Sequence, residues 1–336
     1  MTSLATLKTA VKRALRQASR ATDVCEAEVI ASSTDHLLCR LNYTSGIPCH
    51  GVEEPKSSES FGIGIRAIFT GSDGPRLGFG SETGDLSPAA IRRALEKARH
   101  NATADSEFVS LPTPPAVKSS RKPAQLIRCY DPAIMNLTDK ALVETGWRVI
   151  QEALKTFTAS ESLAELAGSR DRVPSLGVTV GGDVSLYRQR IAIASTHMPK
   201  VQTDESTYLT SSVTAMLENQ HAKGSGYTAV PHLSKFKGES GSEAARNAMR
   251  AIGGHRVASG TYTVILGPQP VSDLMVNLIL PSLSAEAFYS CRSAFLGELQ
   301  HPVASPMLTI YDQGAGRGLV GSKGITCEGL PTGRTS

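Results

Sequence analysis

Hydrophobic residues recur at helical and then at strand spacing over the first hundred positions. An opening helix is predicted by apolar residues three or four positions apart, Leu4, Leu7, Val11 and Leu15. Strands are predicted where apolar residues cluster or alternate with polar ones, at residues 27–31, 37–41, 61–67 and 76–81. Ser87 and Pro88 then suit the N-cap and first position of a second helix.

The second half of the chain changes from one long helix to a series of strands. A single apolar stripe at spacings of four and three predicts the helix through Val143, Trp147, Ile150, Leu154 and Phe157. Strands are predicted around a Gly181-Gly182 turn, at residues 177–180, 184–187, 191–195 and 208–217. Beyond them we expect a helix at 243–252, a strand at 261–266 and a helix from about residue 271.

A proline-rich stretch separates these two halves. Residues 105–135 carry Pro112, Pro114, Pro115, Pro123 and Pro132 among serines and lysines, which is typical of a connection. We therefore predict an α+β fold with two domains. The first is a helix–strand–helix domain at 1–105, and a connection at 106–135 leads to a domain at 136–336 of mostly antiparallel sheet with packed helices.

Length, charge and cysteine usage narrow the class of protein. A chain of 336 residues can hold two domains. Its 35 basic and 31 acidic residues leave a net charge of +4, too small for the broad positive field of a nucleic-acid-binding protein. No apolar run approaches the roughly 20 residues that span a bilayer. Single, scattered cysteines indicate neither a zinc knuckle nor a disulfide framework and favour a reducing cytosol: Cys25, Cys39, Cys49, Cys129, Cys291 and Cys327.

The basic N-terminus has two interpretations. Residues 1–22 contain five basic side chains and no acidic one, as an organelle-targeting peptide would. Their helical spacing, however, runs directly into a predicted strand, which favours the first helix of a folded domain.

Several sequence blocks occur together in an order that is typical of one family. Near the C-terminus these are Phe295-Leu296, Val303-Ala304-Ser305-Pro306, Leu308-Thr309-Ile310 and Glu328-Gly329-Leu330-Pro331-Thr332. Nearer the N-terminus they are Phe61-Gly62-Ile63-Gly64-Ile65-Arg66, Gly78-Phe79-Gly80-Ser81 and Asp85-Leu86-Ser87-Pro88. In this order they resemble the TldD/PmbA family, and the resemblance covers most of the chain.

One departure from the family pattern concerns zinc. In the TldD branch, a helix carries an HExxxH motif in which two imidazoles hold zinc and the glutamate activates water. The matching positions here are Val276, Asn277, Leu278, Ile279, Leu280 and Pro281, and no histidine lies between His255 and His301. The chain therefore resembles the PmbA/TldE branch, and we expect no catalytic, cofactor-binding or metal-binding residue in it.

The resemblance also implies partners. A TldD-type metallopeptidase subunit would hold the zinc, and the hetero-oligomer would cleave small or unfolded peptides in the cytoplasm, without membrane or nucleic-acid binding. A homodimer is an open alternative. Family members usually continue beyond the last block, so we expect the C-terminal domain to be incomplete. The resemblance further associates the chain with modulators of DNA gyrase.

Other residues offer weaker candidate sites. Histidines 197, 221, 232 and 255 lie in or beside predicted loops, as exposed or locally bonded histidines do. Cys291 lacks a recognisable neighbouring base, and residues 314–318 resemble a linker more than a phosphate loop. The acidic pairs Asp204-Glu205 and Glu53-Glu54 suit solvated turns.

Three hypotheses for function remain open. The chain is a non-catalytic peptidase subunit, a stand-alone peptide-binding or scaffold protein, or an enzyme that uses Cys291 with a loop histidine.

Overall fold

The computed structural model describes residues 1–71, 74–105, 110–113, 130–316 and 318–335. The chain divides into two compact units. One comprises residues 1–253 and 313–334, and the other comprises residues 254–312 and 335–336.

The larger unit contains a long antiparallel sheet and the helices that pack on it. Its helices are α1 Leu4–Ala18, α2 Pro88–His100, α3 Pro132–Met135, α4 Asp139–Thr158, α5 Glu161–Ala167 and α6 Glu239–Arg250. Its strands are β1 Val24–Thr44, β2 Lys56–Gly71, β3 Gly74–Thr83, β4 Thr103–Ala104, β5 Val178–Ser195, β6 Gln202–Leu217 and β7 Ala222–Val230. Short 3₁₀ turns lie at Arg170–Leu176, Glu218–Gln220 and Leu233–Lys235.

The helices begin where the sequence supplies a capping side chain. Ser3, Ser87, Thr138 and Ser160 each accept a hydrogen bond from a backbone N–H in the first turn of α1, α2, α4 and α5. These bonds satisfy N–H groups that have no partner inside the helix. The predicted starts of α1 and α2 agree with the structure because both the caps and the apolar stripes are local signals.

The order of helices and strands is nearly the same on the two sides of the centre of the sheet. The order is β4-β3-β2-β1-β5-β6-β7, and all neighbouring strands are antiparallel. On one side of the β1–β5 pair the chain runs α1-β1-β2-β3-α2, and on the other it runs α4-β5-β6-β7-α6, with the short α5 and a 3₁₀ turn between α4 and β5. The large unit is thus built from two helix–three strands–helix halves that share one sheet.

Each half brings its last helix unusually close to its outer strand through a Gly-x-Gly pair. A Cβ atom at Gly78 or Gly80 of β3 would lie 1.9 Å or 2.1 Å from a backbone oxygen of α2. Gly224 and Gly226 of β7 face α6 in the same way, with backbone atoms of α6 at 2.1 Å. Only residues without a side chain permit this approach.

One face of the sheet carries two separate hydrophobic cores. Beneath α1 and α2 the odd-numbered residues of the first part of β1, such as Val29, pack with β2 and β5. Beneath α4 and α6 the last part of β1, such as Leu41, packs with β5 and β6. Between them Asp35 accepts a hydrogen bond from Arg188 at 3.1 Å, and Arg188 also donates to two backbone carbonyls of the α3 region. This buried ion pair divides the helical face into two halves.

The structure corrects several predicted strand boundaries. Residues 27–31 and 37–41 belong to one strand of 21 residues, because the polar residues between them continue the same alternation. Likewise, the three predicted strands between 177 and 195 form the single β5, and Gly181-Gly182 lies inside it rather than in a turn. The predicted connection at 106–135 lies mostly outside the described residues, and strands from both sides of it pair in one sheet.

The smaller unit is built differently. It contains α7 Pro268–Leu274, a π-helical turn Met275–Ile279, α8 Leu280–Ser282 and α9 Ala285–Tyr289. Residues 261–266, predicted as a strand, form no regular element. No residue between 254 and 312 is buried, so this unit has no hydrophobic core of its own. A two-residue strand, β8 Asp312–Gln313, pairs with β9 Arg334–Thr335.

Candidate functional site

The positions that match the zinc helix lie in the smaller unit. Val276 to Ile279 fall in the π-helical turn, and Leu280 and Pro281 begin α8. The one side chain with nitrogen among them, Asn277, donates to the Asp273 carbonyl oxygen at 2.9 Å. Zinc sites in proteins use imidazole, thiolate or carboxylate ligands, and these positions offer none. The residues present therefore do not fit the zinc site of the TldD branch.

The loop histidines do not converge. His197 lies with its Nε2 3.0 Å from Glu26, His232 lies 3.9 Å from Asp131, and His221 ends a 3₁₀ turn with a φ of 47°. His255 belongs to the smaller unit. Across the ranges that the structure covers, no group of three His, Cys, Asp or Glu side chains could hold a metal ion.

The other weak candidates are also separate. Cys291 is exposed, with a φ of 56°. Of the stretch 314–318, Arg317 lies outside the described residues. Glu205 pairs with Arg190 at 2.9 Å, whereas its neighbour Asp204 is buried rather than in a solvated turn.

The face of the sheet opposite the helices is here called the open face. Residues of the C-terminal stretch, 313–316 and 318–334, contact it at β1, β5 and β6. Ile325 packs with Ile191, Ile193 and Met198. Asp204 accepts a hydrogen bond from the Gly324 N–H at 3.0 Å. Burial raises the pKa of Asp204, although backbone donors such as Gly324 act in the opposite direction. This C-terminal stretch is therefore held by both apolar and polar contacts.

Arg66 forms a second attachment of the same stretch. Its Nη2 lies 3.0 Å from Glu28 and 3.0 Å from Glu328. Burial raises the pKa of Glu28, and Arg66 opposes this effect. The guanidinium thus joins a buried carboxylate of the sheet to one in the C-terminal stretch, within the Glu-Gly-Leu-Pro-Thr block.

A cavity of about 230 Å³ lies between the open face and the C-terminal stretch. Its walls include the rings of Tyr187 and Tyr208, which stack with centroids 4.6 Å apart. His36 stacks on the other side of Tyr187 at 4.3 Å. Lys323, hydrogen-bonded to Gln189, also lines the cavity. These groups can stack on flat side chains and exchange hydrogen bonds with a polar chain.

A second cavity lies further along the open face. It measures about 460 Å³ and spans β1, β2 and β3, with Ile30, Phe61 and Phe79 among its lining residues. Phe79 is 54% exposed, so its ring is accessible from this cavity. The open face therefore combines aromatic and polar groups on both sides of the β1–β5 pair.

Side chains protect the exposed edges of the sheet, on β3 beyond its short pairing with β4 and on β7. On β3, Asn101 donates to the Phe79 carbonyl at 3.3 Å and Lys97 to the Ser81 carbonyl at 3.1 Å. On β7, Asn247 donates to the Ser225 carbonyl at 2.8 Å, and Glu243 accepts from the Tyr227 N–H at 3.2 Å. These bonds occupy backbone groups to which an additional strand would pair.

Sequence reasoning did not foresee the contacts that define the open face. Arg66 was noted only as part of a motif, and Tyr187 and Tyr208 only as strand residues. A usable signal is present in the strands, because aromatic or charged residues alternate there with a mostly apolar helix-facing set.

The fold and open face define a class of protein, an α+β protein with a single long antiparallel sheet and one partly covered face. Two domain profiles match the chain, one described as PmbA/TldA metallopeptidase domain 1, at residues 51–102, and one as the C-terminal domain of the same metallopeptidases, at residues 259–336. Over these two segments the chain matches the PmbA/TldD family.

Solved structures of this family have the same fold. A candidate modulator of DNA gyrase from Bacteroides thetaiotaomicron aligns with a TM-score of 0.70 at 18% identity, covering 99% of this chain and 68% of that one. A candidate modulator of a DNA gyrase from Thermotoga maritima gives 0.68 at 18% identity, covering 97% and 67%. TldE from Thermococcus kodakarensis gives 0.66 at 17% identity, covering 97% and 66%.

The chain thus spans about two thirds of the length of these neighbours. No curated protein sequence matches it significantly. None of the helices in the described ranges has both the length and the apolar character that a membrane crossing needs.

Proposed function

We propose that this chain is a PmbA/TldE-like subunit without a catalytic metal, which acts with a TldD-type zinc metallopeptidase on small or unfolded peptides. One observation carries the proposal. The chain matches a metallopeptidase family, but its residues Val276–Pro281, at the positions of the zinc helix, include no side chain that commonly binds zinc. A hydrolytic zinc site needs several nitrogen, sulfur or oxygen ligands and an activated water. These residues supply neither, so the catalytic metal belongs to the partner.

The open face is the part of this chain best suited to hold a peptide. The cavity beside Tyr187 and Tyr208 offers stacking surfaces, and Gln189 and Lys323 offer a hydrogen-bonding rim. Neighbouring hydroxyl groups of Thr34 and Ser206 extend the polar lining. This chemistry binds an extended polar chain without cleaving it, as a non-catalytic subunit would.

Metal content tests the first part of the proposal. Elemental analysis of the purified chain, prepared without metal-leaching resins, should give far less than one zinc per chain. About one tightly held zinc per chain would overturn the assignment of the metal to the partner.

Reconstitution tests the second part. The chain should co-purify with a TldD-type subunit, and the mixture should hydrolyse an unfolded peptide that the chain alone leaves intact. Tyr208→Ala should weaken peptide binding, whereas Tyr262→Ala, an exposed tyrosine of the smaller unit, should not. A chain that binds peptide but ignores every TldD-type partner would instead support a stand-alone binding protein.

A further inference from the structure

A basic pocket lies on the helical side of the large unit, between α1 and the loop that joins β5 to β6. Lys8, Lys12 and Arg16 follow one another every four residues along α1, so their attachment points are about 6 Å apart. Lys200 faces them from the loop, across a concavity of about 520 Å³. This size is typical of sites for small molecules.

The floor of the basic pocket is apolar. It is formed by Leu15, Ala194, Met198 and Val201, with Pro199 at its side. Cationic groups at the rim and aliphatic groups beneath them suit a ligand that has an anionic end and an uncharged organic part.

Among the residues that the structure describes, the charge of the basic pocket has no counterpart. Its lining contains four cationic side chains and no acidic one. None of these four side chains forms an ion pair with another described residue. By contrast, Arg66, Arg188 and Arg190 in the sheet of the large unit each pair with a carboxylate. Cations four residues apart repel one another on a helix at a cost of about 0.2–0.5 kcal/mol per pair. The first turn of α1 also lacks an acidic residue, which would stabilise the positive end of the helix dipole.

Exposed lysines are expected on any solvated amphipathic helix, but such a helix does not usually carry only positive charges on one face. Other surface helices of the large unit mix both charges, as α2 does with Arg93, Glu96 and Arg99. A cavity on α2 is also lined by cationic side chains, Arg92, Arg93 and Lys97, but Glu96 shares its lining, whereas the lining of the basic pocket contains no acidic residue.

We propose that the basic pocket binds a small organic polyphosphate, of which a nucleoside triphosphate is the simplest example. Several phosphate groups would neutralise the four cations through charge-assisted hydrogen bonds, and the organic part would lie on the apolar floor. A nucleic acid would need a longer positive track, and the net charge of +4 offers no such field beyond this pocket. The pocket is separate from the open face and its role does not depend on the peptidase assignment.

Binding of a fluorescent nucleoside triphosphate to the full chain, followed by anisotropy at low salt, tests the proposal. Saturable binding is expected, with inorganic triphosphate as a competitor. Each of Lys12→Ala and Lys200→Ala should weaken binding about tenfold, since each removes one charge-assisted contact. Lys12→Arg should retain most of the affinity. Lys223→Ala, an exposed lysine on β7, serves as the matched control and should bind normally.

Thermal unfolding of every variant should match the parent chain, because these side chains are at the surface. Absence of saturable binding would overturn the proposal, as would equal affinity in the Lys12→Ala/Lys200→Ala double variant. Tighter binding of a DNA oligonucleotide than of the triphosphate, lost equally in Lys223→Ala, would also overturn it, in favour of diffuse nucleic-acid binding.

Discussion

Replacing Gly226 with alanine should destabilise the large unit because α6 lies directly against β7. A Cβ at this position would be 2.1 Å from the Ser240 carbonyl oxygen and 2.8 Å from the Ala244 nitrogen, whereas ordinary contacts begin near 3.4 Å. Both obstacles are helix backbone and cannot rotate away. The helix must therefore retreat by about 1 Å, which costs about 1–3 kcal/mol in a packed core.

The retreat would also stretch a buried hydrogen bond between Ser211 and Ser240, which join at 2.7 Å. A neutral hydrogen bond contributes about 1 kcal/mol, so the total expected loss is about 3 kcal/mol. Urea unfolding followed by fluorescence of the single tryptophan, Trp147, reports on this unit because α4 packs against α6.

Gly46→Ala provides the matched control. Its Cβ would meet no atom nearer than 3.8 Å in an exposed turn, and we expect a change within about 0.5 kcal/mol. If Gly226→Ala were as mild as Gly46→Ala, the close approach of α6 to β7 would be refuted.

Three further substitutions test the polar contacts. Asp35→Ala leaves the Arg188 charge buried without its carboxylate and should cost about 3 kcal/mol in urea unfolding, whereas simultaneous replacement of both residues by apolar ones should cost less. Arg66→Gln should release Glu328 and speed amide exchange at residues 324–330, and unchanged exchange would show that the C-terminal stretch is held without it. Burial raises the pKa of Asp204 in the folded state, so its stabilising contribution is full below the ordinary value of 3.8 and is lost as pH rises through the folded pKa. Asp204→Asn should therefore gain stability relative to the parent between pH 4 and pH 7, and a pH-independent difference would contradict this.

Local signals were sufficient to predict the longer helices. Capping serines and apolar stripes depend on residues three or four positions apart, and the starts of α1 and α2 and the buried stripe of α4 follow from them. The α+β class and the mainly antiparallel sheet are confirmed for the same reason, since strand alternation is also a local pattern.

Contacts distant in sequence account for the errors. Asp35 lies in the gap between the predicted strands 27–31 and 37–41, and its partner Arg188 is 153 residues away. Gly182 looked like a turn residue, but it lies in β5 with a φ of 140°, and a Cβ there would be 2.1 Å from the Ser212 carbonyl of β6. Glu328 is 262 residues from Arg66, so no sequence pattern could place them together.

Under the proposed function, a peptide would bind on the open face of the sheet. The opposite face is covered by α1, α2, α4 and α6. The glycines of β3 and β7 bring α2 and α6 so close to the sheet that no space remains beneath these two helices. The two outer strands are also protected, because Asn101 and Lys97 on one side and Asn247 and Glu243 on the other bond to the backbone groups that a new strand would use. A peptide that added to an edge would have to break these bonds. A peptide on the open face would instead meet the tyrosine cavity and the C-terminal stretch, whose attachments through Arg66 and Asp204 determine how much of that face is accessible.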